Sequence, residues 1–477
     1  MNRLVRVVDE EPLLVILLAG FGVIFVSIFP PHLFVNDSFL TLVAGREVAQ
    51  HGLPSSDDLT VYGAGRTWID QQWGAQLLAY GVYRVGEHAF LAVLASIFSL
   101  AAFLLSAFAT RSMGAGPRAY LVVFFPVVFA ASWAWTIRAQ VFVLPLFAGL
   151  LWLLAVEARR PSQRVYLAIP ILVVWANVHG SVALGALLTM LLAAIELISS
   201  RGRSIRRGAI LLVLAPLAVL ATPYGPFATA RYYELMLVDP PFGDRVSEWQ
   251  PSDPGWNTLA FYLLGAAAIG LVLWGRRRLK AFDVAVLGLT FVGGVQALRG
   301  VQWFALACLI FLPVAIGTRL DGRQAPVRRR FNRALAFGAM AILAVAGAVA
   351  FARDASWYER NWPNTAIASV RDAASQPSSR VFATDRHADW LLWKLPELRG
   401  RVAYDVRFEI YEPSFFDELA SYNRQTGDWK TLTAGFEIVV VDVKAALSHT
   451  EQFLEEPGAR VLYGDDRVTI VLRSPTG

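Results

Sequence analysis

Long apolar runs constrain this chain more than any other feature. Stretches of about 17–25 apolar residues cross a bilayer as helices, because hydrocarbon offers the backbone no other hydrogen-bond partner. Such runs fall near 12–31, 88–110, 119–137, 139–157, 165–178, 180–199, 208–222, 257–275, 281–298, 300–317 and 334–352. They predict an α-helical polytopic membrane protein with about eleven transmembrane helices. The blocks 119–157 and 165–199 are each too long for one span, so each is read as a helical hairpin, turning at "TIRAQ" and "NVHG". Composition agrees, since 56% of the 477 residues are hydrophobic and only 17% are charged. A soluble chain of this length carries more charge than that.

The short loops give an orientation. One side collects Arg111, Arg118, Arg159, Arg160 and Arg164, then Arg201, Arg203, Arg206 and Arg207. Further along, the same side holds Arg276, Arg277, Arg278 and Lys280, then Arg323, Arg328, Arg329, Arg330 and Arg333. The other side has only Arg46, Arg66, Arg84, Arg138, Arg231, Arg245 and Arg299. The positive-inside rule makes the first side cytoplasmic. The N-terminus is then cytoplasmic and, after an odd number of spans, the C-terminal tail is extracytoplasmic, in a multi-pass protein of the inner or plasma membrane. The net charge of +6 follows from this loop bias and does not point to nucleic acid. Cys308 is the only cysteine and lies within a span, which excludes an intramolecular disulfide and a cysteine metal cluster. Trp68, Trp73, Trp133, Trp135, Trp249, Trp256 and Trp303 fall near span ends and fit an interfacial aromatic belt.

Three pieces stand outside the spans: a loop at 32–87, another at 223–256, and the tail. The division expected is a membrane portion, 1–352, that carries the outer loop, followed by a soluble α/β domain, 353–477. In the tail "RVFATD", "RVAYDV" and "FEIVVVDV" read as strands, with helical patterns at 387–395, 413–424 and 445–456. "ARVLYGDDRVTIVLR" reads as a closing hairpin that turns at Gly464, Asp465 and Asp466. In the outer loop, Phe39, Leu42, Val43, Val48 and Ala49 follow a helical face, which predicts a helix along the membrane surface ended by Gly52-Leu53-Pro54. Residues 68–86 predict a second such helix.

Both hairpin turns face outward in this topology. Arg138, Gln140, Asn177 and His179 therefore come to the outer end of the spans, the level reached by Asp37, by the loop holding Glu248, and by Arg299. Polar groups at that depth are costly and tend to face an interior cavity. Each also has a structural reading. Asp37 can cap a helix beginning near Phe39, Arg138 and Arg299 can snorkel to headgroups, and His179 and Asn177 can bond neighbouring helices. Glu248 can be a loop charge, and Asp57 and Asp58 turn residues. A chemistry that uses the set together is group transfer from a lipid phosphate. A carboxylate deprotonates a hydroxyl acceptor while arginines hold the leaving phosphate.

The chain resembles the GT-C glycosyltransferases, the superfamily of protein O-mannosyltransferases and lipid A aminoarabinose transferases. The likeness rests on "NDSFLTLVAGREVAQHGLPSSDDLTVYGAGRTWIDQQW", "IRAQVF", "WANVHGSVALG", "TPYG", and on "DWLLWKLP" followed by "RVAYDVRFEIY" in the tail. It implies a polyprenyl-phosphate sugar donor, reaction on the extracytoplasmic face with inversion, and a membrane-lipid environment. Carried over, the acidic position after the first span falls on Asp37 as catalytic base. From the reading of the residues, Arg138 and Arg299 are expected to contact the carrier phosphate, and Asn177, His179, Glu248 and Asp58 to be substrate-binding positions. Where the O-mannosyltransferases have an Asp-Glu pair, this chain has Asn36-Asp37. "SSDD" is adjacent rather than the spaced DxD of the metal-dependent oligosaccharyltransferases, so no cofactor is assigned and a divalent metal is left open. A lipid or solute transporter and a non-catalytic envelope-assembly scaffold are the competing classes. The acceptor stays unassigned.

Overall fold

A computed structural model describes residues 3–131, 135–199, 205–243, 245–320 and 328–474. Trp133, Arg201, Arg203 and Arg323 lie outside the described residues. Contacts divide the chain into two units. The first comprises Met1–Leu33, Ala89–Pro226 and Val246–Arg353. The second comprises Phe34–His88, Phe227–Arg245 and Asp354–Gly477, so the outer loop shares its contacts with the tail.

The principal helices before the tail are α1 (Pro12–Ser27), α2 (Asn36–His51), α3 (Trp73–Ser112), α4 (Pro117–Ala130), α5 (Leu144–Glu157) and α6 (Ala168–Ala176). They continue with α7 (Val182–Ser199), α8 (Ile205–Val219), α9 (Leu259–Gly275), α10 (Ala281–Gln296), α11 (Val301–Leu320) and α12 (Arg329–Phe351). Among the described residues, five helical stretches are long and apolar enough to cross a membrane: Trp73–Ser112, Ala139–Glu157, Val182–Ser199, Leu298–Gly317 and Arg329–Phe351. Five more are apolar but shorter, α1, α4, α9, α10 and the stretch Gln163–Ala176.

Helix α11 is the axis of the first unit. Every residue from 301 to 317 is buried, and α4, α9 and α10 pack around it. Apart from Gln302, the stretch 301–317 is apolar all round, so its burial desolvates little else that is polar. By contrast α12 packs only one side on α1 and leaves Phe331, Phe337, Met340 and Ile342 exposed, as a lipid-facing helix should. A 3₁₀ turn at Ala139–Val143 leads into α5, and α6 packs against α7 across residues 177–181, the second expected hairpin.

In the second unit, α2 begins at Asn36, earlier than expected, and Asp37 is not its cap. Val35 holds the cap position, and the Ser38 hydroxyl accepts from the Val35 amide at 3.0 Å. Gly52 closes the helix at φ +85°, a conformation that favours glycine. The apolar face expected to lie on the membrane packs within the protein instead. Phe39, Leu42, Val43 and Ala44 are fully buried, and Phe39 meets Trp362 edge-on at 4.6 Å. Gly45 permits this closeness, since a Cβ there would stand 2.2 Å from the Gln76 carbonyl. The second expected surface helix starts only at Trp73. It runs on as α3 to a kink at Gly86 and Glu87, where Glu87 has φ +51°. Trp68, Trp135 and Trp303 are buried rather than interfacial, whereas Trp256 is 91% exposed.

The tail contributes β1 (Val381–Ala383), α13 (Asp385–Lys394), α14 (Pro413–Arg424), β2 (Ile438–Asp442), α15 (Val443–Leu454), β3 (Arg460–Gly464) and β4 (Val468–Leu472). The sheet order is β1-β2-β4-β3, with β1 parallel to β2 and the other pairs antiparallel. Strand β2 is buried along its whole length, which explains its unbroken apolar run. The closing hairpin turns where expected, with Asp465 Oδ1 accepting from the amides of Arg467 and Val468 at 2.8 Å. The strand expected at "RVAYDV" shrinks to two residues. Val402 and Ala403 bridge β1 to Val61 and Tyr62 of the outer loop.

Candidate functional site

In the first unit, Arg138 stands on extended backbone immediately before the 3₁₀ turn that leads into α5. Its two terminal nitrogens donate to both oxygens of Glu248, at 2.7 and 2.8 Å, the bidentate geometry an arginine fork favours. Glu248 rides on the single turn Ser247–Trp249. That turn is fastened to the α10–α11 connection. Leu298 donates its amide to the Gln250 carbonyl at 3.1 Å, and Ser252 donates its amide to Val295 at 2.9 Å and its hydroxyl to Gly294 at 2.6 Å. Arg299, in that connection, lies 4.1 Å above the Trp249 ring, a cation–π contact that fixes the plane of its guanidinium.

Electrostatics places a fourth residue in this neighbourhood. Burial alone would raise the Glu248 carboxyl, but its bonds to Arg138 and the charges of Arg138 and Arg299 outweigh that and hold it below the usual value. His179 is pushed down to about 3, first by burial, then by the charges of Arg299 and Arg138. Its Nδ1 accepts from the Ser181 amide at 3.0 Å, so the neutral ring carries its proton on Nε2. The Arg138–Glu248 ion pair, Arg299 and a neutral His179 thus share one electrostatic neighbourhood.

Asn177 has a different place. Both hydrogens of its amide are spent on backbone carbonyls, Val173 and Ala221, each at 2.8 Å, so it ties the α6–α7 turn to the residues after α8.

In the second unit, Asp37 occupies the first turn of α2. Its charge reaches two carboxyls of α13. Asp385 is pushed up to about 6, first by burial and then by Asp37, and Asp389 is driven well above the usual range by burial, Asp405 and Asp37. Beside them is a buried ion network. Arg407 bonds Asp57 at 2.6 Å and Asp405 at 2.8 Å, and its guanidinium lies 4.2 Å over Trp68. Asp57 also accepts from the Leu59 amide and from the Thr60 hydroxyl, so it is at once a turn residue and an ion partner. Asp70 is pushed up to about 7, chiefly by burial. Asp58 is on the surface, paired with Arg399 at 2.5 Å.

No protein-family model matches the chain, and no curated protein sequence matches it either. Solved structures do. The apo oligosaccharyltransferase of Archaeoglobus fulgidus superposes with TM-score 0.54 at 13% identity, covering 91% of this chain and 70% of that one. The same organism's AglB, solved with an inhibitory peptide and a dolichol-phosphate, gives 0.56 at 13%, covering 91% and 69%. ArnT from Cupriavidus metallidurans bound to undecaprenyl phosphate gives 0.55 at 12%, covering 97% of this chain and 99% of that one. The fold is that of the GT-C glycosyltransferases.

Within this GT-C fold the expected site residues divide between the two units. Arg138, His179, Glu248 and Arg299 share one electrostatic neighbourhood in the first, with Asn177 in the adjoining turn. Asp37 and Asp58 belong to the second. Among the described residues, no group of three or more His, Cys, Asp and Glu has the arrangement to hold a metal. Sequence reading passed over Gln302, which is fully buried with both amide atoms unpartnered, three residues from Arg299. An uncharged Gln at the head of an apolar helix was the available signal. It also passed over Trp249 as the platform for Arg299.

Proposed function

We propose that the chain is a membrane glycosyltransferase that takes a sugar from a polyprenyl-phosphate carrier and passes it to a hydroxyl acceptor on the extracytoplasmic face. The observation that carries this reading is the meeting of Arg138, Arg299, Glu248 and His179 in one electrostatic neighbourhood. It sits in a fold whose solved relatives hold dolichol-phosphate and undecaprenyl phosphate. In the proposed reaction the acceptor oxygen bonds the anomeric carbon from the face opposite the phosphate. The bond from that carbon to the phosphate oxygen breaks, and its electron pair leaves with the phosphate. The acceptor proton passes to a carboxylate, the role that the resemblance assigns to Asp37.

The arginines have the chemistry to stabilise the departing phosphate, since hydrogen bonds to charged groups contribute about 1.5–3 kcal/mol each. Glu248 keeps Arg138 in one orientation, and the Trp249 ring does the same for Arg299. His179, neutral with its proton on Nε2, can donate a hydrogen bond without adding charge.

The test is turnover of labelled polyprenyl-phosphate sugars by the purified protein, with a set of donors and hydroxyl acceptors. Wild type consumes at least one donor. Asp37→Asn lowers turnover about 10²–10⁴-fold, the usual range for loss of a general base, with an unchanged unfolding temperature. Undiminished turnover in that variant removes Asp37 from the role. Absence of turnover with every carrier-linked sugar removes the reading itself.

A further inference from the structure

The Arg-rich end of the first unit holds a cavity apart from the cluster described above. Helix α5 begins just after Arg138 and ends at Glu157, so its far end lies about 20 Å along the helix from the cluster described above. There, between α3 and α5 and the turn after α5, is a cavity of about 760 Å³. One wall is apolar, formed by Phe108, Trp152, Leu153 and Val156. The Phe108 and Trp152 rings are stacked at 6.2 Å, and Trp152 is held by a bond from its Nε1 to the Ser112 hydroxyl at 3.0 Å. The rim is cationic, with Arg111, Arg160 and Arg164.

What sets this rim apart is its uncompensated charge. Other arginines at the same end are matched to acids: Arg159 to Asp283 at 2.5 Å, Arg207 to Glu157 and Glu196 at 3.2 and 3.0 Å, and Arg333 to Asp9 at 2.5 Å. Arg111 is likewise paired with Glu10 and Glu11. The acid of the cavity, Glu157, is consumed by Arg207 and by Ser162, whose amide and hydroxyl both donate to it at 2.6 Å. Arg160 and Arg164 are exposed and meet no acid among the described residues. An apolar wall with two uncompensated guanidiniums at its mouth matches a molecule that is apolar at one end and anionic at the other.

We propose that this cavity binds an anionic glycerophospholipid, with the headgroup phosphate on Arg160 and Arg164 and an acyl chain along Trp152 and Leu153. Charge complementarity selects the occupant. A zwitterionic lipid gains little from the rim, and a free phosphate makes no use of the apolar wall. Basic pockets between membrane helices recognise lipid headgroups by this combination. The site does not depend on the transferase reading, since its ligand differs from the sugar carrier and its residues lie at the opposite end of α5.

The experiment is native mass spectrometry of the purified, delipidated full chain, titrated with phosphatidylglycerol or phosphatidylcholine. Wild type retains phosphatidylglycerol at roughly tenfold lower concentration than phosphatidylcholine, as expected for two arginines near a headgroup. In the Arg160→Gln/Arg164→Gln variant that preference falls to parity. Both positions are exposed, so the variant keeps the wild-type unfolding temperature. Trp152→Ala weakens both lipids alike. Equal retention of the two lipids by wild type, or an unchanged preference in the double variant, overturns the proposal. Displacement of phosphatidylglycerol by inorganic phosphate alone also overturns it, because the site would then be a phosphate site rather than a lipid site.

Discussion

Two carboxylate clusters, one in each unit, are shifted in opposite directions. In the first unit Glu248 is held below its ordinary value, while in the second Asp70, Asp385 and Asp389 are all driven above theirs. Burial acts in the same direction on all four. The difference is the local ratio of arginine to carboxylate. Glu248 is one acid facing Arg138 and Arg299, whereas Arg407 is a single cation already committed to Asp57 and Asp405, with Asp70 and Asp389 in its range. Arginine charge outweighs burial at Glu248, and burial outweighs it at the acids of the second cluster.

The largest way to break that comparison is Arg407→Met. It leaves Asp57 and Asp405 buried without their cation, and stranding a buried charge costs about 3–5 kcal/mol. Thermal unfolding in detergent should show a severe loss. A change within error would mean that the network is hydrated and the carboxylates are not truly buried.

A smaller effect tests the acid-rich side by pH. Asp70 keeps its proton up to about 7 in the folded chain, against an ordinary value of 3.8. As pH rises from about 4 to 7, the unfolded chain releases this proton while the folded one retains it, so the group's contribution to stability falls over that window and is flat above it. Asp70→Asn has no proton to lose. Its stability relative to wild type should rise between pH 4 and 7 by roughly 2–4 kcal/mol. A constant difference across that range would show that Asp70 titrates normally.

Smallest is the effect of Trp249→Ala on the cation-rich side. Loss of a cation–π contact at a partly exposed site is worth about 0.5–1 kcal/mol. Stability should barely change, while binding of a phosphate-bearing lipid should weaken a fewfold as Arg299 loses its platform.

Most of the fold was legible because the physics is periodic. Apolar runs marked the helices of the first unit, and the pattern at 413–424 coincides with α14. The burial of α2 was not legible, because an apolar helical face looks the same whether it meets lipid or Trp362. The strand at "RVAYDV" failed for a related reason. Asp405 and Arg407 alternate as strand residues do, but their charges close a buried network with Asp57, some 350 positions away in the chain. The cluster of the first unit was legible through topology, since the segments "TIRAQ" and "NVHG", with Arg138 and His179, were expected at one end of the spans. The carboxylate that engages Arg138 could be named as Glu248, but its bidentate pairing could not be read from sequence. Nor could the roles of Asn177 and Asp58, whose partners, the Ala221 carbonyl and Arg399, are non-local.

The most direct measurement of the central claim is the affinity of the purified chain for undecaprenyl phosphate against uncharged undecaprenol, in wild type and in Arg299→Gln. The account predicts that wild type prefers the phosphate strongly and that Arg299→Gln loses about tenfold or more of that preference, as removal of a charge-assisted bond implies. Equal affinity for the two lipids in wild type, or an undiminished preference in Arg299→Gln, would contradict it.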